Sequence, residues 1–245
     1  MLHRFEIGSL LVSERGDKDV KGIITKECIM LRADSLADVR VEDVMKADMK
    51  VVSGGAKLGK CLLQCLDGSF RYLPVVGMGG TVDAVLSMGD ICRALVKAAE
   101  EEAPGVRASA GTVRDVLDCS AASQPQPDDT GGESIADAVI RLRASPTGAL
   151  LVPASNGEVG IFTERELIRA LAQHQDYAWS ARMSEHATRV APPYANASLA
   201  ITDALAGLLQ GGTRHLPVVS EPYTEPPRCA LVSMRDLLAH IHGVA

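Results

Sequence analysis

The sequence predicts an α/β (α+β) protein in which small sheets are flanked by helices and arise from one repeated unit. Two observations support this prediction. Residues 71–76 and 214–219 are RYLPVV and RHLPVV, 143 residues apart. The segments that follow also match, with VLSMGDI at 85–91 and LVSMRDL at 231–237. A fixed period of this kind is the sequence signature of a repeat architecture.

The second and fourth copies each predict the order helix, strand, strand, helix. In the fourth copy, the apolar spacing over 198–210 indicates a helix that Gly211 ends, and two strands follow. A short extended piece at 188–191 precedes that unit. In the second copy, KLGKCLLQCLDG (57–68) predicts the equivalent helix, and GMGG (77–80) predicts the turn between the strands.

The third and first copies follow the same order less completely. In the third, SIADAVIRLRAS (134–145) predicts a helix with its first serine as N-cap, and GALLV (148–152) and VGIFT (159–163) predict the strands. The first copy offers only GSLLV (8–12), VKGIIT (20–25) and a helix. We therefore expect roughly the first 20 residues of that unit to be missing or divergent.

Two segments differ in composition from the repeats. Residues 99–111 are small and charged, which predicts a linker between two pairs of repeats. Residues 120–133 contain Ser, Gln, Pro, Asp and Gly, which predicts a flexible stretch inside the third copy.

The composition excludes several classes of function. A net charge of −6 and 3% aromatic residues argue against nucleic-acid binding, which needs basic and stacking surfaces. No apolar run reaches the roughly 18 to 20 residues that span a bilayer, so membrane insertion is not expected. The six cysteines form no C-x-x-C pair, which argues against zinc and favours reduced thiols packed in the core. Reduced thiols fit the cytoplasm or an organelle matrix.

A hydroxyl closes the second strand of each copy, and an acid follows three residues later in three of them. The pairs are Ser87 with Asp90, Thr163 with Glu166, and Ser233 with Asp236, whereas the first copy has Thr25 with Cys28. The spacing has two interpretations. It is that of a capping box, which satisfies the amides of a helix start. It also suits a site for sugar hydroxyls or phosphate, because a strand end there leads into a helix N-terminus.

Taken together, the four copies resemble the cystathionine β-synthase (CBS) domain family, whose repeats pair into Bateman modules. The resemblance rests on RYLPVV with VLSMGDI, RHLPVV with LVSMRDL, GALLV with GIFTEREL, and GSLLV with GIITKECI. It implies two Bateman modules, each a pair of β-α-β-β-α repeats. The implied repeats are 1–35 (partial), 41–98, 112–174 and 180–243, and the implied modules are 1–98 and 112–243.

The resemblance also implies where a nucleotide would bind. Asp236 and Asp90 match the acid that holds the ribose, with Ser233 and Ser87 beside them. Phosphate-binding positions match Arg214 and His215 in the fourth copy and Arg71 in the second, and Arg235 is a further candidate. Gly148 and Ala149 match residues that contact adenine. We expect one strong site near Asp236, a weaker one near Asp90, and two degenerate ones, of which one contains Thr163 and Glu166.

These expectations define a regulatory module without catalysis, because the sequence shows no nucleophile–base set, phosphate loop or metal cluster. The implied ligand is an adenine nucleotide or relative (AMP, ATP, NAD or S-adenosylmethionine), with no required cofactor and no metal. Binding would be transmitted to a homo-oligomer or another protein. Two alternatives remain open: a ligand-free interaction scaffold, and a regulatory fragment of a larger enzyme or transporter.

Overall fold

The computed structural model describes two compact units, Met1–Ile91 and Cys92–Ala245. The boundary lies within one helix. The residues described are 2, 7–14, 19–32, 39–68, 70–101, 111–119, 132–153, 158–190, 195–221 and 228–243.

The first unit contains two small sheets. Its elements are β1 (Ser9–Ser13), β2 (Val20–Thr25), α1 (Lys26–Leu31), α2 (Val41–Val44), β3 (Val52–Ser53), α3 (Leu58–Asp67), β4 (Tyr72–Val76), β5 (Val82–Ser87) and the start of α4 (Met88–Glu101). Strands β1 and β2 pair antiparallel, while β4 pairs in parallel with β3 and antiparallel with β5.

The second unit contains two three-stranded sheets, β6-β7-β8 and β9-β10-β11. Its elements after α4 are α5 (Val113–Cys119), α6 (Ile135–Ala144), β6 (Ala149–Pro153), β7 (Val159–Thr163), α7 (Glu164–His174), a 3₁₀ helix (Gln175–Ser180), α8 (Met183–His186), β8 (Thr188–Val190), β9 (Ala195–Asn196), α9 (Ile201–Gln210), β10 (His215–Glu221), β11 (Arg228–Ser233) and α10 (Met234–His242). The mixed arrangement of small sheets and helices confirms the predicted fold class.

Strand register confirms the four copies. In every repeat, the residue before the shared leucine lies opposite the hydroxyl residue that closes the second strand. The pairs are Ser9 with Thr25, Tyr72 with Ser87, Ala149 with Thr163, and His215 with Ser233. The matching sequence segments therefore adopt the same antiparallel strand pairing in all four copies.

The helix faces that periodicity predicted in the second and third copies are buried. In α3, Leu58 is the exception, because it opens the helix and is 40% exposed. The remaining buried positions are Cys61, Leu62, Cys65 and Leu66 in α3 and Ile135, Ala138, Val139 and Leu142 in α6. These faces agree with an apolar stripe at a 3.6-residue period.

The apolar spacing over 198–210 predicts a buried face of Leu199, Ala204, Leu205, Leu208 and Leu209 for α9, and the observed face differs slightly. Leu199 precedes the helix, and Leu209 is only partly buried, whereas Ile201 at the first helical position is completely buried. The helix ends at Gly211, and Gly212 follows with φ +59°, so the two glycines provide the predicted stop.

The sheets of the second unit pack their apolar faces together. Ala149, Leu151, Val159 and Ile161 from β6 and β7 form one buried cluster with Cys229 and Leu231 from β11. Each fully buried aliphatic side chain of this kind contributes about 1.5–3 kcal/mol relative to an exposed one. This cluster joins the third and fourth copies into one core.

Strand β8 is the extended piece predicted at 188–191, but it does not join the sheet of the fourth copy. It pairs antiparallel with β7 of the third copy, with Thr188 opposite Ile161 and Val190 opposite Val159. The short strand β9 takes its place beside β10, in parallel. The chain thus completes one sheet before it begins the next.

The segment that precedes each repeat of the second unit also forms backbone hydrogen bonds with the other repeat. The Val113 amide donates to the Leu199 carbonyl at 2.9 Å, and the Met183 amide donates to the Glu133 carbonyl at 2.9 Å. Because buried backbone groups require partners, these bonds hold the two repeats of the unit to each other.

The predicted linkers are only partly covered by the described residues. Helix α4 continues through Glu101, so the start of the predicted 99–111 linker is helical. Alanine and glutamate favour helix, which explains the extension. Residues 102–110 lie outside the described residues, as do 120–131 of the second predicted flexible stretch.

The thiols follow the core-packing interpretation. Five of the six cysteines are buried, and Cys119 is exposed. Burial raises the pKa of the Cys92 thiol to about 11 and also raises the pKa of the Cys229 thiol.

We expect iodoacetamide at pH 8 to label Cys119 in the native protein and to leave Cys92 and Cys229 unmodified, because alkylation requires an accessible thiolate. Peptide mass spectrometry, with a urea-unfolded sample as control, measures the labelling. Native labelling of Cys92 or Cys229 at the rate of the unfolded sample would contradict this burial.

We expect Gly160→Ala to destabilise the protein by about 1–3 kcal/mol, because overpacking forces backbone shifts. A Cβ at Gly160 would lie 2.9 Å from Ala187 Cβ and 3.2 Å from Val152 Cβ, where β7 meets β8. Urea denaturation measures the free energy of unfolding.

Gly207→Ala is the matched control, because nothing lies within 4 Å of a Cβ added at this exposed position in α9. It should stabilise the protein by about 0.5–1 kcal/mol through helix propensity. Equal effects of the two substitutions would show that β8 does not pack on β7 as described.

Candidate functional site

The hydroxyl–acid pairs of the second and fourth copies form capping boxes. Oδ2 of Asp236 accepts the Ser233 amide at 2.9 Å and the Ser233 hydroxyl at 2.7 Å, and the Asp236 amide donates back to Ser233 Oγ at 3.2 Å. Ser87 and Asp90 repeat this geometry, with 2.9, 2.6 and 3.1 Å for the same bonds. Both pairs therefore start helices, whatever else they bind.

The same geometry also occurs outside the repeated motif. Oδ2 of Asp115 accepts the amide and the hydroxyl of Thr112 at 2.6 and 2.8 Å, and Ser134 caps α6 together with Asp137. The Thr112 amide holds the pKa of the Asp115 carboxyl below its usual range. Because these pairs lie away from the ends of the central strands, the capping geometry does not by itself identify a ligand site.

The third copy is different, because its acid lines a pocket. Glu166 is 3% exposed. Its Oε2 accepts the Thr163 amide at 3.1 Å and the Thr163 hydroxyl at 2.5 Å, while its Oε1 accepts the Thr188 hydroxyl at 2.8 Å. Thr188 lies in β8, so its hydrogen bond to Glu166 connects this strand to the first turn of α7.

The pocket at Glu166 has a volume of about 370 Å³ and lies entirely within the second unit. Its wall combines apolar, hydroxyl and cationic side chains with the backbone of the turn after α9. The lining residues are Ile161, Thr163, Arg165, Glu166, Thr188, Arg189, Val190, Gly211, Thr213, Arg214 and His215.

Arg214 and His215 reach this pocket from the fourth copy by contacting the third. The Arg214 guanidinium pairs with the Glu164 carboxylate, and His215 Nε2 donates to the Thr147 carbonyl at 2.9 Å. A carbonyl only accepts, so Nε2 of His215 carries a proton. His215 and Glu164 are each 3% exposed, so both contacts are largely removed from water.

The other arginines of the pocket have protein partners too. Arg165 Nη1 donates to the Gly212 carbonyl at 2.7 Å. Arg189 lies 3.6 Å from Glu158 in a pair whose side chains are 59% and 32% exposed. Three guanidinium groups therefore converge at the rim, two of them beside a carboxylate.

Some of the predicted site residues line this pocket, and others do not, although His215 lies opposite Ser233 in the strand register. Arg214, His215, Thr163 and Glu166 share the pocket. Five others are not among its described lining residues: Ser233, Arg235, Asp236, Gly148 and Ala149. Ala149 is instead buried in the core between the sheets. Arg71, Ser87 and Asp90 belong to the first unit.

The sequence did not identify four polar residues of the pocket, Arg165, Thr188, Arg189 and Thr213, or its apolar and glycine residues Ile161, Val190 and Gly211. One signal was present, because Arg165 follows Thr163 by two residues, as Arg235 follows Ser233. Thr188 and Arg189 lie on the predicted extended piece, but their place in the pocket depends on β8 joining the third copy.

Two classes of site have no support within the described residues. No group of three or more His, Cys, Asp or Glu side chains is arranged there to hold a metal ion. None of the helices described is both long and apolar enough to cross a bilayer.

Comparison with known proteins agrees with this architecture. The family model of the CBS domain matches residues 41–97, the second copy. An uncharacterized 17.7 kDa protein from Acidianus ambivalens is 33% identical over 91 residues, which cover 37% of this chain and 55% of that protein. The chain thus matches about half the length of this curated relative.

Solved structures extend the likeness to nearly the whole chain. A protein from Methanocaldococcus jannaschii, described as a proposed archaeal homolog of g-AMPK, matches with a TM-score of 0.75 at 18% identity, over 98% of this chain and 90% of that one. An uncharacterized conserved protein from Pyrococcus horikoshii matches with a TM-score of 0.59 at 22% identity, over 95% and 90%. At these identities the likeness shows the fold. The family match shows a CBS domain at residues 41–97, and the solved structures show that the chain shares its fold with these proteins.

Proposed function

We propose that the protein is a regulatory module without catalysis that binds an adenine nucleotide in the pocket around Glu166. The observation that carries this proposal is the meeting of three arginines, three threonines and a buried carboxylate at the end of β7. The pocket volume lies in the range of small-molecule sites.

The chemistry of the wall suits the parts of a nucleotide. Arg165 and Arg214 offer charge-assisted hydrogen bonds to phosphate oxygens, which are roughly twice as strong as neutral ones. Ile161 and Val190 offer apolar surface for a base. The net charge of −6 repels an anion at long range, so a local group of arginines is needed to attract one.

The site expected at Asp236 remains a proposal. Its capping box engages Oδ2 of the carboxylate, and the same holds for Asp90 in the first unit. At Asp236, Oδ1 is then the oxygen that would accept a sugar hydroxyl. Arg214 and His215, which the sequence assigned to Asp236, instead favour the pocket of the third copy.

A ligand in this pocket would act on both repeats of the second unit, because the wall combines residues of the third copy with Gly211, Thr213, Arg214 and His215 of the fourth. If it binds one arrangement of the repeats more tightly, it shifts the population toward that arrangement. We propose that a second copy of the chain or another cytoplasmic or organellar protein responds to this shift.

A ligand-free interaction scaffold is the second candidate function. It is favoured by the existing partners of the polar groups in the pocket: both oxygens of Glu166 accept hydrogen bonds, and Arg214 pairs with Glu164. In a scaffold, these contacts would hold the repeats together for a partner protein, and no ligand would compete for them.

We expect Arg165→Gln to weaken AMP binding by roughly 10- to 150-fold, because it removes a charge-assisted hydrogen bond of about 1.5–3 kcal/mol. Isothermal titration calorimetry at constant ionic strength measures the affinity. Arg235→Gln removes the same charge from the corresponding position of the fourth copy, beside Asp236.

The pair of variants locates the site. Loss of affinity in Arg165→Gln alone supports the pocket at Glu166, while loss in Arg235→Gln alone moves the site to Asp236. Wild-type protein that binds none of AMP, ATP, NAD and S-adenosylmethionine in calorimetry would reject the nucleotide proposal and leave the scaffold.

We also expect protein that is purified gently and kept at concentrations above the dissociation constant to carry a bound nucleotide, because the bound state is then favoured at equilibrium. Native mass spectrometry, followed by acid extraction of the released small molecules, detects it. A scaffold would show only the mass of the polypeptide, both before and after incubation with AMP and removal of the excess.

A further inference from the structure

The ion pair between Arg214 and Glu164 joins the two repeats at the pocket. Glu164 is the first residue of α7 in the third copy, and Arg214 precedes β10 in the fourth. Their side chains are 4% and 27% exposed, so the pair is screened less by water than a surface pair is. Arg214 therefore faces the pocket with its charge already matched.

The other charges around the pocket are matched in the same way. Arg165, Arg189 and Arg214 line it, and Glu166 lies in the wall, while Glu158 contacts Arg189 and Glu164 contacts Arg214. Arg169 also lies 3.7 Å from Glu166, so among the described residues four guanidinium groups stand against three carboxylates at this site. A phosphate dianion that binds Arg189 or Arg214 must therefore compete with a carboxylate that already contacts that guanidinium.

Glu164 is the carboxylate with the most effect on a ligand. Both oxygens of Glu166 are engaged by threonine hydroxyls, and the contact of Glu158 with Arg189 is long and largely exposed. The carboxylate of Glu164 instead contacts a guanidinium that also lines the pocket. A phosphate that bound this guanidinium would therefore compete with the carboxylate of Glu164.

We propose that Glu164 is an internal competitor for the phosphate of the ligand: its carboxylate occupies Arg214 in the empty pocket, and a phosphate must displace it to bind. This inference rests on the proposed nucleotide site. It makes Glu164 a residue that sets affinity for phosphate-bearing ligands and leaves the affinity for an uncharged nucleoside unchanged.

Displacement of Glu164 would also couple ligand binding to the arrangement of the two repeats. Breaking the pair removes a contact between the third and fourth copies at the same moment that the ligand makes new contacts to both. The equilibrium between two arrangements of the unit can shift only by the difference in the ligand's affinity for them. Replacement of the Glu164 carboxylate by the ligand's phosphate at Arg214 would provide such a difference in affinity.

The test is Glu164→Gln, with AMP and adenosine as probes in calorimetry. Glutamine keeps the size of the side chain and removes its charge, which removes the anion that competes with the phosphate at Arg214. We expect AMP to bind about 10-fold more tightly than to wild type, the gain of one charge-assisted hydrogen bond. Adenosine, which lacks the phosphate, should bind with unchanged affinity.

Glu158→Gln is the matched control, since it makes the same change in net charge at the rim of the same pocket. Its partner Arg189 is exposed, and exposed pairs have small interaction energies, so the affinity for AMP should change by about 5-fold at most. An equal gain in both variants would attribute the effect to net charge and overturn the role of Glu164.

Stability gives a second measurement. Without ligand, Glu164→Gln leaves Arg214 partly buried and unmatched by Glu164, so its melting temperature should fall and AMP should raise it more than in wild type. If that variant does not fold, Glu164→Asp keeps the charge but withdraws the carboxylate by one methylene, and a smaller gain in AMP affinity is expected.

The outcomes separate this inference from the proposed function. Wild type that binds AMP, with no gain in Glu164→Gln or Glu164→Asp, rejects the competitor and keeps the site. A gain for adenosine equal to that for AMP also rejects it, because the substitution would then only have opened the pocket. Absence of binding in wild type and all variants rejects the nucleotide site itself.

Discussion

The antiparallel pairing of the two central strands within each repeat is the constraint on which the rest of the structure depends. It places the closing hydroxyl opposite the residue before the shared leucine in all four copies. The helix that follows must then begin at the strand end, where its first amides need acceptors. The helix start and, in three of the copies, its capping acid follow from this one register.

The pocket exists only because the repeats of the second unit exchange elements. Strand β8 leaves the fourth copy to complete the sheet of the third and brings Thr188 to Glu166. Arg214 and His215 reach in the opposite direction to Glu164 and Thr147. A single repeat would have the capping pair without the cationic wall. The site is therefore a property of the pair of repeats, and a ligand there would contact both.

The ion pairs around the pocket then determine which ligands it can bind. In a chain of net charge −6, unmatched arginines would attract any small anion, whereas arginines matched by carboxylates admit only ligands with additional contacts. The carboxylates also hold the guanidinium groups in place before a ligand arrives, which lowers the entropic cost of ordering them. The same contacts would stabilise a scaffold, so structure and affinity are linked in one set of ion pairs.

By itself, the sequence determined the four copies, the apolar faces of α3 and α6 and the hydroxyl at each strand end. These features depend on periodicity and capping, which act between residues a few positions apart. Only the tertiary structure decided which acid shares a pocket with Arg214 and His215. Their partners, Glu164 and Thr147, lie 50 and 68 residues away. The resemblance joined them to Asp236, and the strand register does place His215 opposite Ser233. Packing of whole sheets also brings them to the pocket that contains Glu166, which no local sequence pattern shows.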